Sequence, residues 1–514
     1  MLSIGWGTWI RTKEMSDSES DALPLGYTPI TKSIIYLFFK GVKKKMKIRT
    51  RFAPSPTGYM HIGNLRTALY CYLIAKKNNG DFILRIEDTD QKREVSNASQ
   101  LIYQTLEETG LHYDEGPQMG GPYGPYIQSQ RLDIYHHYAQ ELIRKGGAHY
   151  CFCTDEIQEQ DPCIHLSDEE IQQKIQNGTP YVIRQTIPQT GITTFDDEVY
   201  GHIEVENKTL NEGILIKSDG YPTYNFANVI DDHLMHITHV VRGNEYLSST
   251  PKYNLIYQTL GWDIPTYIHL PTVNKDETHK LSKRDGDASY YDLKNQGFLT
   301  EAIMNYIALL GWAPEGCEIL SLNELIKQFD IHHISKAPAI FDIEKLKWIN
   351  GMYLRNMPLQ DFHKLLLPHY SFIHQSVNLL EVSRVLQPRL LQVNDAIIQE
   401  TLDFINQAYP FDIQVYSHKK FKTNPEKSLN ALLLVQNHLH EISDFQNDEN
   451  ILQFFINLAK ENGMKNGQIM EPVRAALTHK RSSAGGAVEL VHIFGKEETL
   501  KRLNQAIQNL KDSL

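Results

Sequence analysis

Residues 46–64 read Met46-Lys-Ile-Arg-Thr-Arg-Phe-Ala-Pro-Ser-Pro-Thr-Gly-Tyr-Met-His-Ile-Gly-Asn64, and the order of apolar, turn and capping residues in this stretch decides the fold class. Residues 47–52 alternate as a short strand does, and Pro54-Ser-Pro-Thr-Gly58 is a turn that breaks it. Ile62, Leu65, Leu69, Tyr72 and Leu73 then recur at helical spacing, and Asn78-Asn-Gly80 stops the helix. A second strand over 82–86 delivers Glu87 and Asp88 at its carboxyl end. Two parallel strands joined by a helix are the seed of a doubly wound nucleotide-binding sheet. Beyond about residue 300 strand signals fade, and amphipathic helices are expected near 322–329, 343–349, 451–460 and 500–510. An α/β half followed by a helical half is the simplest architecture.

Working outward, His61-Ile-Gly-Asn64 opens the first helix, where unpaired N–H groups and the helix dipole attract polyphosphate. Gly63 lets a nucleotide approach the backbone closely, and the His61 imidazole can donate to a phosphate oxygen. Far downstream, Lys280-Leu-Ser-Lys-Arg284 lies in a polar segment over 274–287. Its ammonium groups suit the negative charge that develops when a nucleotidyl group is transferred.

The 514 residues suggest roughly two to four domains. The apolar run over 34–39 is far short of the ~20 residues that span a bilayer, so no membrane partner is expected. A net charge of -11 does not advertise nucleic acid, yet His418-Lys-Lys-Phe-Lys422 and His479-Lys-Arg481 are local basic stretches that leave RNA binding open. Three of the five cysteines cluster as Cys151, Cys153 and Cys163. In a reducing cytosol, where this chain is expected, such thiols point to metal rather than to disulfides. With His165 they supply the four ligands of a closed, structural tetrahedral Zn2+ site. Residues 1–45, acidic and Ser-rich over 14–21, read as a dispensable extension with Met46 as the working start; a transit peptide is the weaker alternative.

Arg51-Phe-Ala-Pro-Ser-Pro-Thr-Gly58, His61-Ile-Gly63 and Arg85-Ile-Glu-Asp-Thr-Asp90 together resemble the glutamyl branch of the class I aminoacyl-tRNA synthetases. Ser218-Asp-Gly-Tyr-Pro-Thr-Tyr224, Asp231-Asp-His233, the lysine stretch, Phe341-Asp-Ile-Glu-Lys-Leu-Lys-Trp348 and Glu471-Pro-Val-Arg-Ala-Ala-Leu477 extend the resemblance over essentially 46–514. Asn64 stands where the family's signature often has a second histidine. The resemblance implies a two-step ligase that joins glutamate to ATP and then to the 3′ end of tRNA(Glu), acting as a monomer with Mg2+-ATP as substrate. It implies ATP contacts at His61, Gly63, Glu245, Lys280 and Lys283, of which His61, Lys280 and Lys283 carry catalysis. It implies a glutamate pocket of Arg51, Ala53, Ser55, Glu87, Tyr224, Asn228 and Arg242. Free glutamate has one ammonium and two carboxylates; Glu87 suits the first, Arg51 and Arg242 the others by bidentate pairing. A neutral amide against a buried arginine leaves a charge unpaired at ~3–5 kcal/mol, so Arg242 favours acid over amide. Arg389 and Arg474 match positions that read anticodon bases.

The implied organisation is a Rossmann-like domain at 46–126 and 219–295, interrupted by an acceptor-end insertion at 127–218. A helical stem-contact domain at 296–365 and an all-α anticodon-binding domain at 366–514 follow. A shorter paralogue that glutamylates a modified tRNA base would lack the helical half, and a small cytidylyltransferase would lack the glutamate pocket. A non-enzymatic RNA-binding relative would not need Glu87, Lys280 and Lys283.

Overall fold

The computed structural model describes residues 47–90, 97–153, 161–279, 281, 289–374 and 376–514. The chain divides into two units, Met1–Lys47 and Ile48–Leu514. Of the first only Lys47 is described, so the expected extension over 1–45 lies outside the described residues, as do Lys280 and Lys283.

Among the described residues of the second unit, eleven strands follow one another: β1 (Arg49–Phe52), β2 (Asp81–Leu84), β3 (Ala148–Cys151), β4 (Val182–Gln185), β5 (Ile192–Asp197), β6 (Gly201–Glu206), β7 (Ile214–Ile216), β8 (His239–Gly243), β9 (Thr266–Leu270), β10 (Val273–Asn274) and β11 (Ala339–Ile340). The central sheet has the order β2-β1-β8-β9-β5-β6. All its neighbours pair in parallel except the edge strand β6, which is antiparallel to β5. β1 is buried along its whole length, as a central parallel strand must be. Its two arginines are therefore tolerated only because acids meet them: Arg49 pairs with Glu115 at 2.7 Å and Asp81 at 2.8 Å. The helix Ile62–Lys77 joins β1 to β2 and ends at Asn78, as the sequence predicts. Gly80 is required where the chain returns to the sheet, because a Cβ there would collide with the Ile48 carbonyl.

The insertion differs from the expected 127–218 block. Its own sheet is only β3-β4-β7, whereas the β5-β6 hairpin rejoins the central sheet beside β9. The predicted 296–365 domain also lacks a core of its own. Ala302, Ile303, Leu346 and Ile349 share one core with the first helix. A second core starts at Leu354 and runs through Leu510. The two cores meet inside a single helix, Ile343–Asn356. There the buried Asn350 accepts the Leu299 amide at 2.9 Å and donates to the Leu391 carbonyl at 2.7 Å. Helices Asp448–Glu461, Asn466–Thr478 and Ala487–Ser513 are among those that build the second core. Among the described residues no helix is long and apolar enough to cross a membrane.

Candidate active site

The carboxyl ends of β1, β2 and β8 open into one cavity of about 990 Å³. It lies where the sheet order reverses, β2 on one side of β1 and β8 on the other, which is where ligands of doubly wound sheets bind. Arg51, Ala53, Ser55, Glu87, Tyr224, Arg242 and Glu245 all line it. Asn228 does not; it is buried one turn behind Tyr224 and donates Nδ2 to that residue's carbonyl at 2.6 Å, bracing the wall. His61 caps the first helix, its Nδ1 accepting the Gly63 amide at 3.0 Å. That bond assigns the ring proton to Nε2. The first helix reaches the cavity wall through Asn64 and Thr67 rather than through His61 or Gly63.

The two arginine-bearing walls differ in charge. On the first, Arg51 Nε donates to Asp232 Oδ1 at 3.0 Å and Nη1 to the Val241 carbonyl at 3.2 Å. The fully buried Arg85 donates to the same Asp232 oxygen at 2.7 Å and to Glu87 Oε1 at 3.0 Å. Behind them Arg131 donates to Asp231 Oδ1 at 2.8 Å. Arginines and carboxylates therefore balance before any ligand arrives. Burial nevertheless pushes the Glu87 carboxyl up to about 7, against the pull of Arg85 and Arg51. A ligand ammonium beside it would draw the proton off.

The second wall carries an uncompensated charge. Arg242 is 5% exposed, and among the described residues it has no carboxylate partner. Its Nε donates to His269 Nε2 at 3.0 Å and its Nη2 to Thr250 Oγ1 at 2.7 Å. The rings of Tyr246, Tyr253 and Tyr267 surround it, their centroids 4.7–5.3 Å from Cζ. A buried arginine without an acid is costly, and an incoming carboxylate removes that cost.

Sequence reasoning passed over several of these groups. Lys217 lines the cavity and donates to the Thr89 carbonyl at 3.2 Å, but a single lysine after a strand gives no local signal. Arg85, Asp231 and Asp232 stand inside recognised motifs, yet only the three-dimensional pairing reveals that they neutralise one another.

The thiol cluster forms with one correction. Cys151, Cys153, Cys163 and Asp161 each bring a donor atom within 4.8 Å of the others; His165, expected as the fourth, is exposed and outside the group. Asp161 opens the short 3₁₀ turn Pro162–His165 by accepting the Cys163 amide at 2.9 Å, which holds its carboxylate among the thiols. Burial raises its pKa, but donors including Cys151, the Cys163 amide and His149 outweigh that and bring it to about 2. Cys153 Sγ lies 3.6 Å from both Cys163 Sγ and Asp161 Oδ1. Thiolates ~2.3 Å from a tetrahedral zinc would be about 3.8 Å apart, so the set fits that ion.

In the helical half, Arg389 is exposed, and its Nη1 donates to the Val385 carbonyl at 2.6 Å. Arg474 corrects the expectation of a base reader. It is 8% exposed, and its N–H groups donate to both Glu471 oxygens, the Lys480 and Arg481 carbonyls and Ser483 Oγ. A guanidinium has five N–H groups and all are used, so Arg474 frames the 480–483 loop.

Residues 47–348 match the family described as tRNA synthetases class I (E and Q), catalytic domain, and residues 361–507 match an anticodon binding domain. The glutamate–tRNA ligase of Clostridium acetobutylicum is 53% identical over 483 residues, covering 90% of this chain and 99% of that protein. That of Clostridium botulinum is 54% identical over 482 residues, with 90% and 99% covered. Among solved structures, a glutamate tRNA ligase of Elizabethkingia meningosepticum in complex with its amino acid matches with a TM-score of 0.81 at 36% identity, over 90% of this chain and 100% of that one. The glutamate-tRNA synthetase of Elizabethkingia anophelis matches at 0.79 and 36%, with the same coverage.

Proposed function

We propose, from the premise that this chain belongs to the class I tRNA synthetases of the E and Q type, that it attaches glutamate to the 3′ end of tRNA(Glu). In the first step an oxygen of glutamate's α-carboxylate attacks the α-phosphorus of Mg2+-ATP. The bond to the β-phosphate oxygen breaks and pyrophosphate leaves. In the second, a hydroxyl of the terminal ribose attacks the carbonyl of the mixed anhydride, and AMP leaves. No protein nucleophile is required. Placement and charge compensation carry the rate.

The observation that carries this reading is the pairing of Arg242, buried without an acid, with Glu87 on one cavity. Glu87 receives the ammonium, and Arg242 and Arg51 receive carboxylates. His61, Lys280 and Lys283 act on the phosphates, with Gly63 and Glu245 beside the nucleotide. Charging purified tRNA(Glu) with glutamate, glutamine and aspartate in parallel tests it. Glutamate alone should be esterified, and equal charging by glutamine would refute the pocket assignment.

Arg389 is the group read as meeting the anticodon, since it is exposed on the domain that matches anticodon binders. The same reading takes the enzyme as a monomer that acts in the cytoplasm. The cysteines and Asp161 would hold a structural zinc that cross-links the insertion. Metal analysis of protein purified without chelator should give one zinc per chain, lost in Cys163→Ser; a metal-free, fully folded wild type would remove the ion from this account.

A further inference from the structure

We infer that Asp197 and His269 form a relay that positions Arg242 for the substrate's carboxylate, so that His269 governs substrate affinity without touching substrate. This rests on the reading that glutamate occupies the cavity.

The sheet brings the three residues together. The parallel register sets Arg242 on β8 opposite His269 on β9. On the other side of β9, β5 ends at Asp197, opposite Tyr267. Asp197 Oδ2 accepts the His269 amide at 3.0 Å and Nδ1 at 2.6 Å. Its Oδ1 accepts the amides of Val199 at 2.9 Å and Tyr200 at 2.8 Å. The carboxylate is thus pinned by four donors and has one orientation.

That orientation determines the protons. A carboxylate against Nδ1 requires Nδ1–H, which leaves a lone pair on Nε2. An arginine Nε always carries hydrogen, so the 3.0 Å contact with His269 Nε2 is a bond only if the imidazole is neutral. The groups facing the ring are Asp197 and Phe195 from β5, Arg242 from β8, Glu245 beyond it, Thr250 and Tyr267. Burial, with Arg242 adding to it, outweighs the acids and lowers the His269 pKa.

The consequence falls on the far edge of Arg242. Its Nε is held by His269 and one Nη2 hydrogen by Thr250, while three tyrosine rings restrict the plane. The donors that remain belong to Nη1 and Nη2, the pair that meets a carboxylate with two parallel bonds. A guanidinium fixed in this way need not be ordered when substrate binds.

The test compares two substitutions in the full chain by aminoacylation kinetics. His269→Phe keeps a ring but removes both bonds. His269→Gln keeps an acceptor for Arg242 and a donor for Asp197. His269→Phe should raise KM for glutamate at least about tenfold, with kcat and the KM for ATP within roughly threefold. His269→Gln should restore KM to within about threefold of wild type. An unchanged glutamate KM in His269→Phe, or equal damage in both variants, would overturn the relay in favour of simple packing. Should His269→Phe not fold, Asp197→Asn loses the charge that fixes the Nδ1 proton while keeping its volume; it should raise the same KM several-fold, and no rise would also overturn the relay. Failure of the wild type to charge glutamate would sink the functional reading instead.

Discussion

Arg242 and Arg474 look alike by burial, at 5% and 8% exposed, and the sequence marks both as ligand-facing. Their surroundings separate them. Arg474 spends every N–H on Glu471, two carbonyls and a hydroxyl of its own domain. Arg242 keeps an edge toward a cavity and lacks a carboxylate among the described residues. A buried charge whose partners are complete is part of the frame, whereas one left incomplete is a request for a ligand.

The contrast is broken most directly by removing each side chain. Arg242→Leu should lower kcat/KM for glutamate by roughly 10³–10⁴, the kinetic equivalent of ~4–5.5 kcal/mol, while unfolding in urea changes little. A loss below tenfold would mean that the carboxylate binds elsewhere. Arg474→Ala should behave in the opposite way. It strands Glu471 and two carbonyls, so the helical half should lose about 2–3 kcal/mol in urea, with the glutamate KM unaltered. A stable Arg474→Ala protein that fails only on tRNA would restore the base-reading role.

The acid side of the pocket sharpens the picture. The Glu87 carboxyl stands near 7 rather than its ordinary 4.5, and an ammonium binds only the ionised form. Glutamate affinity should be complete above pH 7 and weaken by up to about tenfold per unit below it, a slope that Glu87→Gln abolishes. Isothermal titration across pH 5.5–8.5, chosen as roughly 1.5 units either side of that value, reads it. For folding the sign is reversed: without ligand, the native state holds a proton that the unfolded chain has released, so this group's contribution to stability falls as pH rises from about 4.5 to 7. The smallest effect is expected at the exposed Arg389, where Arg389→Ala should raise KM for tRNA about fivefold, near 1 kcal/mol, with no change for glutamate. An unchanged tRNA KM would place base reading on other residues.

The opening β1–helix–β2 unit was legible because its signals are local: a two-residue period, a proline turn and an Asn-Asn-Gly stop. Most of the cavity wall followed, since strand ends of such sheets hold ligands. What depended on pairing over distance was not legible. Asp197 and His269 are 72 residues apart, and nothing near either one announces the other. The boundary at Ile349 and Leu354 was hidden for a similar reason, because helical periodicity shows an apolar face without showing which core receives it. Cysteine spacing located the thiols, but the fourth donor came from Asp161 through a turn that composition does not encode.

The β5-β6 hairpin lies within the stretch that interrupts the catalytic sheet, yet β5 ends in the carboxylate on which Arg242 indirectly leans. That stretch is therefore not a detachable cassette. A chimera spliced at 127 and 218 would carry away Asp197 with the inserted module. Cut points that leave 192–206 with the host sheet would exchange the module and keep the amino-acid pocket intact.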